Sequence, residues 1–149
     1  MVADDIAVRA LTSLPDGIDE LLRASVDEGH NLVRRLVEDW LDGSNQFDAP
    51  GEIFVEARVG ARLAGLGGLN QDPYLDDPSV ARLRHLYVLP ELRRRGVGRA
   101  VVGVLVDQAR TSFSRMRLRT TREEAARFYS TLGFQQVAQE PDATHVIWF

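Results

Sequence analysis

Arg93, Arg94, Arg95, Gly96, Val97, Gly98 and Arg99 stand consecutively in the chain. In a protein of formal net charge -4, that concentration of guanidinium groups around two glycines is suited to holding an anion. Glycine adopts dihedrals closed to other residues and lets a ligand approach the backbone. If a helix begins at about Gly98, its first amides lack intrahelical acceptors and point into the same space. A helix end contributes about 0.3–1 kcal/mol and each charge-assisted arginine contact about 1.5–3 kcal/mol. Several together reach the roughly 8 kcal/mol of micromolar binding. The spacing is neither GxGxxG nor the GxxxxGK[ST] phosphate loop.

Other chemistries are closed by composition. The sequence has no cysteine, and all 18 basic residues are arginine. Disulfides, thiolate nucleophiles and Schiff-base lysines are therefore excluded. His30, His85 and His145 lie far apart in no metal-ligand spacing, so no metal site is expected. The acids outnumber the arginines through Asp48, and the balance reverses over residues 82–127. The basic stretch has no pattern of aromatics interleaved with its arginines, only Tyr87 and Phe113, and the whole chain is acidic, which argues against nucleic acid as a partner.

The elements that must position the arginine turn follow from periodicity. With 44% hydrophobic and 27% charged residues, the composition is that of a globular protein, and a single domain over residues 1–149 is expected. The apolar run over residues 100–106 is too short to span a bilayer, and the start, MVADDIAVRA, lacks the basic flank and apolar core of a signal peptide. A cytoplasmic protein without membrane contact is expected.

Residues 6–12 alternate as a strand, and residues 16–41 carry apolar positions at helical spacing with a break near Gly29. A hairpin over residues 52–70 turns at Val59 and Gly60, although Gly65, Gly67 and Gly68 weaken its return strand. Residues 80–88 read as a strand stopped before Pro90. The valine-rich stretch that follows is a helix, because Arg99, Gly103, Asp107 and Arg110 form one polar stripe. A short strand over residues 115–119 precedes a helix with Thr121 and Glu124 at capping-box spacing and Gly133 at its end. Two strands close the chain. The order predicts an α/β fold, α+β in the broad sense, with a mixed sheet covered by helices.

In that context LYVLPELRRRGVGRA resembles the acyl-coenzyme A signature of the GNAT superfamily of N-acetyltransferases, whose [RQ]xxGx[GA] pattern is matched by Arg93, Gly96 and Gly98. AARFYSTLGF is similar to a second family segment, matched by Tyr129, Gly133 and Phe134. The resemblance implies a mostly antiparallel sheet of six to seven strands flanked by about four helices. It further implies acetyl-coenzyme A as co-substrate, its pyrophosphate on the main chain of Arg93, Arg94, Arg95, Gly96, Val97, Gly98 and Arg99. The pantetheine arm would lie along Leu86, Tyr87 and Val88, at a splayed strand edge. Tyr129 would be the general acid toward the departing thiolate. A backbone N–H near Tyr87 or Val88 would meet the oxyanion.

The general base is open. Arg82 and Arg117 stand where relatives carry glutamate, and Arg122 stands where many have asparagine. His85 on the coenzyme strand is the tentative base, with Glu56, Asp27, Glu28, His30 or a water chain as alternatives. The expected reaction is acetyl transfer to a primary amine, by direct attack in a ternary complex. The alternative is an acyl-coenzyme A sensor or structural module without catalysis. Acidic early helices would line the acceptor pocket and favour a cationic amine, Trp40 and Trp148 read as core, and a monomer or homodimer is expected.

Overall fold

The computed structural model describes residues 5–149. Asp4 and the beginning of the segment read for a leader fall outside them. The elements are β1 (Ile6–Ala10), α1 (Ile18–Asp27), α2 (Leu32–Asp42), β2 (Ile53–Val59), β3 (Arg62–Gln71), β4 (Val80–Val88), α3 (Val97–Ser112), β5 (Arg115–Leu118), α4 (Glu123–Thr131), β6 (Gln135–Gln136) and β7 (His145–Trp148), with a 3-10 turn at Pro90–Leu92. The strands form one seven-stranded sheet in the order β1-β2-β3-β4-β5-β7-β6. Every neighbouring pair is antiparallel except β4 and β5, whose connection runs through α3. Among the described residues no helix is long and apolar enough to cross a membrane.

The glycines that weakened β3 as a strand explain how closely its neighbours pack. A Cβ on Gly67 would lie 2.9 Å from Val101 of α3, while one on Gly68 would collide with the Phe47 ring. Successive strand residues face opposite sides, so α3 covers one face of β3 and the Phe47 loop the other. Phe47 and Phe54 join Trp40 of α2 in an aromatic cluster with centroids 5.3–6.2 Å apart. On the opposite face Val97, Val101, Leu105 and Ala109 of α3 are buried. Their spacing leaves Arg99, Gly103, Asp107 and Arg110 outside, which is the stripe read from the sequence.

Two local expectations are corrected. Thr121 does not cap α4: the N-cap is Arg122, in extended conformation, with no side-chain cap hydrogen bond. Trp148 is 59% exposed, stacked under Arg115 on the last strand, whereas Trp40 is buried as expected. The C-terminal punctuation of α4 is present. Gly133 has φ +96°, its N–H donates to Ser130 O, and that of Phe134 donates to Tyr129 O. This pair of bonds forms a Schellman motif, and it stacks Phe134 against Tyr129 with centroids 5.6 Å apart.

The last paired rung between β4 and β5 joins Arg82 to Arg117. Both guanidiniums turn to Asp72, with Arg117 Nε donating to Oδ2 at 2.8 Å and Arg82 Nη1 at 3.3 Å. Asp72 and Arg117 are fully buried, and Arg82 nearly so. Arg82 also donates to Asp142 O and Arg117 to Pro141 O, so the network ties the segment before β7 to the same rung. Removing the shared carboxylate charge leaves Arg82 without a carboxylate among the described residues and the buried Arg117 with only the partly exposed Glu140, 3.2 Å from its Nη1. Asp72→Asn is expected to lower unfolding stability by about 3–5 kcal/mol, measured by denaturant titration, whereas a loss below about 1 kcal/mol would show that the cations are compensated elsewhere.

Candidate active site

Beyond the Arg82–Arg117 rung, β5 ends at Leu118 while β4 continues to Val88, paired only with β3 through Leu66–Tyr87 and Gly65–Val88. One extra residue on β4 between the Gly68–Arg84 and Leu66–Tyr87 rungs makes a bulge, and His85 within it has φ +58°. The bulge bends the strand end away from β5. A cavity of about 460 Å³ occupies the resulting gap, between the end of β4, the start of α3 and one side of α4.

Leu86, Tyr87 and Val88 form one wall of the cavity, and Arg93, Arg94, Gly96, Val97, Gly98 and Arg99 form its end. Gly96, at φ +89°, is the N-cap of α3 and no side chain caps this terminus. The helical ladder begins with Ala100 N–H donating to Gly96 O. The amides of Val97, Gly98 and Arg99 therefore precede it and remain available to an anion. A Cβ on Gly98 would lie 3.2 Å from Phe128 and 3.7 Å from Val88, reducing the space between β4 and α4. Arg95 is not part of the cavity lining.

Tyr129 lines the same cavity from α4 and is 7% exposed. Its ring lies among those of Phe128, Phe134 and His145, at 5.2, 5.6 and 6.3 Å. Desolvation raises its phenol above the ordinary value, which keeps it a neutral donor at physiological pH.

The helix break read near Gly29 places two further groups here. Gly29 N–H donates to Val26 O and His30 N–H to Ser25 O, the same Schellman arrangement as at α4. Glu28, just before that turn, accepts two bonds from Arg93 at 2.7 and 2.8 Å and one from Tyr87 Oη at 2.6 Å. Hydrogen bonds from Arg93 hold its carboxyl down to about 2 against the penalty of partial burial, with Tyr87 adding to the effect. Arg93 also donates through Nε to Val88 O. Its side chain thus fastens α1 to the end of β4, a structural engagement that the arginine-rich pattern did not disclose. His30, just after the turn, lines the cavity with its Nε2 2.9 Å from Arg122 Nη1.

Of the candidate bases, His30 reaches the lining and Glu28 is bonded to its Arg93 and Tyr87, while the others lie away from it. His85 is absent from its lining, 8% exposed and packed edge-on to Phe47, and burial followed by the nearby Arg84 charge pushes its imidazole down to about 4. Glu56 is buried and ion-paired with Arg9 and Arg58, and Asp27 is exposed on α1. From the first two helices and their connection only His30 and Leu32 reach the lining, so the acidic early helices do not form this wall. Its charged residues are Arg93, Arg94, Arg99 and Arg122 against Glu124. No periodicity reports Arg122 or His30, since their contact joins residues 92 positions apart.

The family model of the acetyltransferase (GNAT) family matches residues 16–134. The chain belongs to this family. It is 29% identical over 94 residues to the N-alpha-acetyltransferase RimI of Mycobacterium tuberculosis, covering 63% of this chain and 59% of RimI. A crystal structure of a candidate acetyltransferase from Exiguobacterium sp. 255-15 superposes with a TM-score of 0.85 at 30% identity, covering 97% of this chain and 93% of the other. PaiA N-acetyltransferase from Thermoplasma acidophilum, crystallised with coenzyme A, has the same fold at a TM-score of 0.68 and 14% identity, covering 97% of this chain and 99% of its own. The chain spans 36% and 59% of the lengths of the curated relatives it matches.

The depressed carboxyl of Glu28 makes a signed prediction. A group whose folded pKa lies below its unfolded value stabilises the fold above the unfolded pKa, and that contribution disappears as pH falls through the folded one. With values of 4.5 unfolded and about 2 folded, the loss falls between roughly pH 5 and pH 2. Urea denaturation across that window is expected to show a shallower decline of stability for Glu28→Gln than for the native chain. Parallel curves would mean that the Arg93 bridge contributes nothing to acid sensitivity.

Proposed function

We propose that this chain transfers an acetyl group from acetyl-coenzyme A to a primary amine, by direct attack in a ternary complex. The observation that supports this reading is the union, in one cavity, of the uncapped amides of α3, the unpaired end of β4 and the phenol of Tyr129. The co-substrate supplies a thioester carbonyl activated for nucleophilic attack. The residues present fit it: the wall is kept thin by Gly98, and arginines and free amides meet at the end where a pyrophosphate belongs. The crystallisation of PaiA with coenzyme A supports coenzyme A as the ligand of this fold.

In this mechanism the amides of Val97, Gly98 and Arg99, with Arg94 and neighbouring side chains, hold the pyrophosphate. The main chain of Leu86, Tyr87 and Val88 pairs with the pantetheine arm. An N–H near Tyr87 or Val88 steadies the oxyanion when the amine adds to the carbonyl. A C–N bond forms and the C–S bond breaks, while the nitrogen gives up a proton and Tyr129 donates one toward the leaving sulfur. Burial raises the phenol above its ordinary value and so keeps it protonated until the thiolate develops; its proton then passes to sulfur, and the phenolate regains one from solvent. An imidazole held near 4 is too weak a base for an alkylammonium. We therefore assign that deprotonation to water at the cavity mouth rather than to His85.

A thiol-release assay over a panel of primary amines tests the proposal. Tyr129→Phe is expected to reduce kcat by about 10²–10³-fold while the KM for acetyl-coenzyme A changes little. Undiminished turnover in that variant removes Tyr129 from the chemistry, and no thiol release from the native protein with any amine removes the transferase reading.

A further inference from the structure

A second cavity, of about 610 Å³, lies along the other side of α4 between that helix and the edge formed by β6 and β7. Its wall is polar: Thr121, Arg122, Arg127 and Ser130 come from α4 and its approach, and Thr144 and His145 from the start of β7. Arg122 belongs to the walls of both cavities. Tyr129 lines the first, His145 lines the second, and their rings are 6.3 Å apart.

The strongest indication of a ligand is His145. It is 2% exposed, and its Nε2 is buried without a hydrogen-bond partner among the described residues. Its Nδ1 lies 2.9 Å from Thr144 Oγ1, which itself accepts the N–H of Thr120 at 3.0 Å. That oxygen has its own proton and two lone pairs, so it can donate to Nδ1 or accept from it, and in either tautomer Nε2 keeps an unmet hydrogen-bonding position. Desolvation pushes the imidazole below its ordinary value. The residue therefore holds a buried ring nitrogen with no partner among the described residues, a costly arrangement unless a ligand or water reaches it.

Charge specifies the ligand further. Glu123, the acid of this wall, lies 3.5 Å from Arg127 within its own helix. Arg122 has no carboxylate partner among the described residues, its contact being with the His30 ring. The first amides of α4 also lack a side-chain cap. An uncapped helix start and an unneutralised guanidinium favour an oxyanion, and they stand beside a buried imidazole nitrogen that lacks a partner among the described residues.

The geometry points to an acceptor amine that carries its own anionic group, a carboxylate in the simplest case, held between Arg122, Arg127 and His145 while the amine reaches the first cavity. This inference rests on the transferase reading of the first cavity. It replaces the cationic acceptor expected from the acidic early helices, which do not line that cavity.

The test measures product binding and so does not depend on turnover. N-acetylalanine and N-ethylacetamide differ by the carboxylate alone and are titrated calorimetrically into the full chain saturated with coenzyme A. N-acetylalanine is expected to bind about ten- to hundredfold tighter, as one or two charge-assisted hydrogen bonds would give. In Arg127→Gln, an exposed position, and in His145→Phe the ratio of the two affinities is expected to fall toward one. Equal affinities in the native chain, or a ratio unchanged in the folded Arg127→Gln variant, would overturn the inference. Inorganic phosphate binding at Arg127 with no discrimination between the two amides would also overturn it, by making the cavity a separate anion site. A chain that prefers N-acetylalanine yet releases no thiol with any amine fails as a transferase while the carboxylate subsite stands.

Discussion

The point at which β4 and β5 cease to pair is held by a charge network. Arg82 and Arg117 form the last rung between the two strands, and the buried carboxylate of Asp72 is shared by both guanidiniums, with Glu140 on Arg117 as well. Such a network is not a source of great stability, since desolvating its charges consumes most of their attraction. Its value is positional. Beyond that rung β5 ends and β4 bulges at His85, which leaves the last residues of β4 with one unpaired edge. An unpaired edge inside a protein must satisfy its amides and carbonyls with something, and a peptide-like arm is a suitable partner.

Around that gap, two helix endings of the same kind orient the side chains. The Schellman turn at Gly29 sets Glu28 against Arg93 and Tyr87 and leaves His30 on the cavity wall. The one at Gly133 locks Phe134 against Tyr129. Both depend on glycine in the left-handed region. The start of α3 has the opposite character. Gly96 leaves its amides without a side-chain cap, so this helix end is open to a ligand. Arg93 serves differently from the helix start, because its side chain braces α1 against β4 while the amides of Val97, Gly98 and Arg99 precede the helical ladder.

Much of this was legible in the sequence, for physical reasons. Amphipathic spacing identified α1, α2 and α3, because the apolar face of each must meet the sheet. The RRRGVGR turn and the Tyr129–Gly133–Phe134 spacing marked features dictated locally by backbone conformation. What escaped was non-local or depended on exposure. Asp72 meets Arg117 across 45 residues, and no periodicity encodes that meeting. Thr121 has the right spacing to cap α4, yet Arg122 takes the cap position and Thr121 lines the second cavity. Trp148 reads as core from its type, but it sits on a strand face that Arg115 covers only in part. The acids of the early helices suggested a cationic acceptor because sequence shows their number and not their direction.

Calorimetric titration of coenzyme A against pantetheine, which keeps the arm and lacks the phosphates, asks whether the uncapped start of α3 holds a pyrophosphate. Coenzyme A is expected to bind near the micromolar range and pantetheine at least about a hundredfold more weakly, because pantetheine cannot accept the one or two charge-assisted hydrogen bonds that such a factor represents. Equal affinity for the two, or no affinity for coenzyme A, would contradict that role of the helix start.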